Sequence, residues 1–81
     1  MKYVLIINGV FVKSFTYKLN ALEGFSIVIK NLTEEQKKYN SITLEEMTEI
    51  VFHEYKVLGY DDSYLQGNGN EERKSKIIEE Y

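Results

Sequence analysis

The sequence contains no cysteine, no proline and no tryptophan, and it has one histidine and one arginine among 81 residues. Without cysteine there are no disulfides and no thiolate metal sites, and a single imidazole excludes zinc centres built on several histidines. Hence no cofactor and no metal are expected. No apolar run approaches the ~20 residues needed to cross a bilayer. The apolar stretch Val4-Leu5-Ile6-Ile7 is too short for a signal peptide and lacks a small-residue cleavage site. A cytoplasmic protein that does not engage a membrane is therefore expected. Glycine is sparse, with three of the five residues falling between Gly59 and Gly69.

The charge that is present is unevenly spread. Residues 1–32 sum to +3, residues 33–62 to −5 and residues 63–81 to −1. The bases are nine Lys and one Arg, and Ile, Asn and Tyr are abundant. That bias points to an A/T-rich genome, as in a low-GC bacterium or its phage.

The expected fold class is α+β. Residues 3–17 alternate apolar side chains around Asn8-Gly9, the pair that most readily adopts the positive φ angles of a type I′ turn. A hairpin with Ile7 opposite Val10, Leu5 opposite Val12 and Tyr3 opposite Ser14 follows. Its other face then carries Val4, Ile6, Phe11 and Phe15. A third strand is expected at about 25–31, where Gly24 and the Ile27-Val28-Ile29 run disfavour helix. Helical spacing of Leu22, Phe25, Ile29 and Leu32 keeps a helix open as the alternative.

Thr33 with Gln36 forms a capping box for a short helix through Tyr39, with Asn40 available as its left-handed end. Thr43 with Glu46 predicts a second capping box, opening a main helix at about 44–58 that Gly59 ends, with Tyr60 against Tyr55. Residues 66–70 read as a flexible connection, and 71–81 as a short charged helix with Glu72 four before Lys76. The expected layout is one domain over 1–81, with 66–81 a flexible or weakly anchored tail.

Sites that carry chemistry are hard to find. Glu46, Glu49 and His53 would share a face of the main helix, but one imidazole with two loose carboxylates is a solvated face rather than a metal or catalytic site. Gly67-Asn68-Gly69 lacks the Lys-Ser/Thr pair of a phosphate loop. A calcium loop in this stretch fails as well, because placing Gly67 at the sixth position puts Tyr64 and Gln66 at ligand positions three and five and Arg73 at the twelfth. No enzyme is expected.

With the main helix covering one sheet face, the hairpin face of Val4, Ile6, Phe11 and Phe15 would need a cover of its own. These four residues, with Tyr60 and Tyr64, are the expected partner-binding set. The function expected is a non-catalytic interaction module, a small regulator or inhibitor that occludes another protein. It could also be a homodimer, and its coding bias suits a phage or mobile-element product directed at a host defence or nuclease system.

Residues 25–58 also resemble a ribbon-helix-helix DNA-binding regulator: alternating Ser26, Val28 and Lys30 on a strand, then two capped helices. The resemblance implies that Ser26, Val28 and Lys30 read the major groove and that nucleic acid is the partner. The first helix, at about 34–39, is short for that family, and the hairpin lies outside its pattern.

Overall fold

A computed structural model describes residues 1–67 and 72–81. Strands β1 (Lys2–Ile7) and β2 (Val10–Phe15) are followed by helices α1 (Lys18–Asn31) and α2 (Glu34–Tyr39). Strand β3 (Ile42–Met47), helices α3 (Glu49–Val57) and α4 (Asp62–Gln66), and strand β4 (Lys76–Glu80) complete the described chain. The strands form an antiparallel sheet in the order β2-β1-β3-β4, so the architecture is α+β with an N-terminal hairpin.

The hairpin turns where Asn8-Gly9 predicts, with φ of 52° and 77°. Ile7 pairs with Val10, but the register then slips: Ile6 faces Phe11 and Leu5 faces Lys13, leaving Val12 as the extra residue of a bulge. Because strand side chains alternate, one inserted residue moves everything beyond it to the opposite face. Phe11 therefore stays with Val4 and Ile6, whereas Phe15 joins Tyr3 on the other side. The expected pairs Leu5–Val12 and Tyr3–Ser14 give way to Leu5–Lys13 and Tyr3–Phe15.

The expected third strand at 25–31 is instead the second half of α1. Packing overrides local propensity there: Leu22 and Phe25 lie against Tyr3, Ala21 and Leu44 on one sheet face. Gly24 has a packing reason, since a Cβ at that position would sit 2.6 Å from Cζ of Phe15. The glycine that argued against helix lets the helix approach β2.

The main helix expected at 44–58 is shorter, because its first turn is strand. Residues 42–47 form β3 between β1 and β4. Thr48, not Thr43, is the N-cap of α3, its hydroxyl accepting from the Val51 amide at 3.1 Å. At its other end Gly59 takes φ 71°, and the Tyr60 amide donates back to the Tyr55 carbonyl at 2.8 Å. The capping box of α2 is present, with Thr33 and Gln36 exchanging hydrogen bonds, but Asn40 has φ −117° and its side chain donates to the Gln36 carbonyl instead.

Residues 76–80 form strand β4 rather than a helix, and Tyr81 continues the ladder by exchanging both backbone hydrogen bonds with Ile42. Residues 76–81 of the segment expected to be weakly anchored are thus paired with the sheet. The flexible connection expected at 66–70 falls partly on residues 68–71, which lie outside the described residues.

The sheet is covered on both sides. Val4, Ile6 and Met47 meet Tyr55 of α3 and Leu65 of α4 on one face, and Tyr3 and Leu44 meet Ala21 of α1 on the other. Each such fully buried aliphatic side chain contributes about 1.5–3 kcal/mol of transfer free energy. Among the described residues, no helix is long and apolar enough to cross a membrane.

Candidate functional site

Two features stand out from the packed core: a buried ionic cluster on the α3/α4 side and an open apolar groove on the α1 side. The cluster begins with register. Val4 pairs with Glu45 and Ile6 with Thr43, so β3 turns a carboxylate and a hydroxyl toward the interior of the α3/α4 face. Glu45 is 1% exposed, and a charge so deeply buried needs a full set of partners.

It has them. Arg73 donates to Glu45 Oε1 from Nη2 at 2.6 Å and from Nε at 3.0 Å, and the Ser75 hydroxyl donates to the same oxygen at 2.6 Å. The Thr43 hydroxyl donates to Oε2 at 2.7 Å. Arg73 Nη2 also reaches Asp62 Oδ1 at 3.2 Å, while Gln66 donates to Asp62 Oδ2 at 2.8 Å. Partial burial works against the Arg73 guanidinium, but its hydrogen bonds and charge contacts with Glu45 and Asp62 outweigh that and push its pKa upward.

Three segments meet in this cluster: β3, α4 and the run before β4. Each carboxylate oxygen of Glu45 and Asp62 already accepts a hydrogen bond. Neither group is placed as a free base or nucleophile, and the arrangement works as a tie. The cleft beside it holds about 200 Å³.

Next to the charges lies an aromatic trio. Phe11 stacks on Tyr60 with centroids 3.9 Å apart, and Tyr55 meets both edge-on at 6.3 and 5.4 Å. Tyr60 holds φ 59°, an unusual conformation for a bulky side chain, with the stack and the hydrogen bond from its amide to the Tyr55 carbonyl keeping it there. The buried Tyr55 hydroxyl has no hydrogen-bond partner among the described residues. Burial, with the nearby carboxylates of Asp62 and Glu45, pushes its pKa up to about 12.

The groove lies across the sheet. Helix α1 packs on β1, β2 and β3, and Ile78 of β4 lies against the same cluster as Leu22 and Phe25. Between α1 and β4 remains an open groove of about 740 Å³, walled by Leu22, Phe25 and Ile29 on the helix and by Glu79, Glu80 and Tyr81 on the strand side.

The residues expected to bind a partner are distributed differently from expectation. Val4 and Ile6 are buried beneath α3 and α4, 0% and 2% exposed, so the hairpin face is covered from within. Phe11 and Tyr60 are half-buried in the aromatic trio, and Tyr64 packs on the same core with the Lys74 ammonium 5.2 Å from its ring centroid. Phe15 is on the opposite face against α1.

Ser26, Val28 and Lys30 lie on α1, where alternate residues do not share a face, so the two-stranded ribbon that groove reading requires is not formed by them. Glu46 lies on β3 while Glu49 and His53 lie on α3, so they do not share a helical face. Among the described residues no group of carboxylates and imidazoles is arranged to hold a metal ion.

Sequence reasoning missed the Glu45–Arg73 pair, whose partners are 28 residues apart. A lone arginine in a lysine-rich chain is its only cue. The helical spacing of Leu22, Phe25 and Ile29, kept above as the alternative to a strand, is the pattern that makes the groove wall. The chain matches no protein-family model, no curated protein and no solved structure.

Proposed function

We propose that this protein is a non-catalytic protein-binding module, a small regulator or inhibitor that acts by covering a surface of its target. The observation that supports this best is the groove between α1 and β4. Leu22, Phe25 and Ile29 form an apolar wall that the chain's own elements leave open. The polar side chains that could otherwise suggest catalysis are consumed in the Glu45 tie.

The docking surface in this reading is on the α1 side, away from Val4 and Ile6. The Lys-rich, Arg-poor composition supports a phage or mobile-element origin, and a host defence system, its nucleases included, is a fitting class of target. Nothing in the geometry favours the DNA-binding alternative.

Site-specific photo-crosslinking in the cell that makes the protein tests the reading. A crosslinker at Ser26, on the groove wall, should capture a different protein, whereas one at the exposed Glu54 of α3 should not. Equal capture at both positions, or none at either, would sink it.

A further inference from the structure

The groove is more than apolar, because one of its walls is an open edge of the sheet. Tyr81 and Ile42 exchange both backbone hydrogen bonds, at 2.8 and 3.3 Å. In an antiparallel ladder the residue next to such a pair turns its N–H and C=O away from the partner strand. Glu80, opposite Thr43, therefore presents both groups on the outer side of β4. Among the described residues, no strand pairs there.

We infer that the groove takes an extended segment of the partner protein, added to the sheet as a further strand beside β4. Backbone hydrogen bonds to the β4 edge supply affinity, and alternate side chains of the segment lie on Leu22, Phe25 and Ile29. Charge selects the segment's other residues. Glu80, opposite Thr43, turns its exposed side chain to the face away from α1, so the matching segment places apolar side chains toward the helix and basic ones beside Glu80 on the other face.

A second copy of this chain is the rival occupant, since antiparallel pairing of two β4 strands centred on Ile78 would set Lys76 of each opposite Glu80 of the other, and the oligomeric state of the wild type decides against it or for it. The register slip that leaves Ile78 unpaired, together with the flanking charges, guards the edge against indiscriminate pairing and leaves it to a complementary strand.

The inference rests on the protein-binding reading but can fail apart from it. The probe is a synthetic capped peptide alternating Val and Lys, compared with its Val/Glu counterpart, read by fluorescence anisotropy and by amide hydrogen exchange of the full chain. The Val/Lys peptide should bind at least ~10-fold tighter than the Val/Glu peptide and should slow exchange at the Glu80 amide. Phe25→Asp should abolish binding. The paired change Glu79→Lys and Glu80→Lys, at exposed positions that leave the core untouched, should reverse the peptide preference.

Strand addition is overturned if neither peptide slows exchange at Glu80, if protection falls on β2 instead, or if wild type is already a dimer with that amide protected. A Ser26 crosslink to a foreign protein together with an unprotected Glu80 amide removes strand addition and leaves the protein-binding reading standing. Absence of both removes both.

Discussion

The two faces of this sheet are covered by different physics. On the α3/α4 side a charged cluster and an aromatic trio lie together, and each carboxylate oxygen of Glu45 and Asp62 depends on a specific partner. On the α1 side the contacts are almost wholly apolar, and cover ends before the sheet does. A polar interior fixes geometry because a displaced partner leaves a buried charge. An apolar face tolerates an open border, since exposing a few apolar side chains carries no comparable penalty, and such a border is where a partner can be admitted.

Breaking the tie should therefore have the largest effect. Arg73→Ala strands the Glu45 carboxylate and should lower stability by about 3–5 kcal/mol in urea unfolding. Replacing both Glu45 and Arg73 by Met should recover most of that loss, because no charge is then left unpaired. If the double variant is as unstable as Arg73→Ala, the cluster acts through packing rather than charge.

Next comes the aromatic trio on the same face. Phe11→Ala removes the stack on Tyr60 and should lower stability by about 2–4 kcal/mol, with the Tyr60 backbone losing what holds it at positive φ. A loss below ~1 kcal/mol would mean that Phe11 is a surface residue available to a partner.

How far these faces were legible in the sequence follows the range of the interactions. Asn8-Gly9 and the caps at Thr33 and Gly59 are local devices, and each acts where its residues predict. The partition of Phe11 from Phe15 was hidden, because the bulge at Val12 has no glycine or other marker to announce it. Strand β3 was disguised by Glu46, whose spacing from Thr43 imitates a capping box. Glu45 looks like a solvated helix residue until Arg73 arrives from 28 residues away. Strand β4, with Lys76, Glu79 and Glu80, has the composition of an exposed helix and takes its conformation from pairing with β3. The groove was legible only in the helical periodicity of Leu22, Phe25 and Ile29, the alternative to a strand there.

On the α1 side the sharpest test is Gly24→Ala. Alanine favours helix over glycine by up to ~1 kcal/mol, yet its methyl would meet the Phe15 ring. Overpacking of this kind costs about 1–3 kcal/mol, so a net loss of up to roughly 2 kcal/mol is expected. Combining it with Phe15→Leu should remove the clash and restore much of the loss. A stabilising Gly24→Ala would show that α1 can retreat from β2, and that the open face is looser than its packing implies.

The smallest effect at neutral pH belongs to Tyr55→Phe, at the junction of the aromatic and charged halves of the closed face. Removing a buried hydroxyl that has no partner should be neutral or stabilising, by no more than ~1 kcal/mol, whereas losing a satisfied hydroxyl would cost about that much. The alkaline limb gives a second readout. The Tyr55 phenol ionises near 10 when unfolded and near 12 when folded, so the folded state keeps its proton longer. Its contribution to stability is complete below pH 10 and is lost as pH climbs toward 12, because the unfolded chain releases the proton first. Tyr55→Phe lacks that limb, so its stability should gain on wild type over this interval when both are unfolded in urea at matched pH. Parallel curves would mean that the hydroxyl ionises freely in the folded protein, and the face described here as closed would then admit water at its centre.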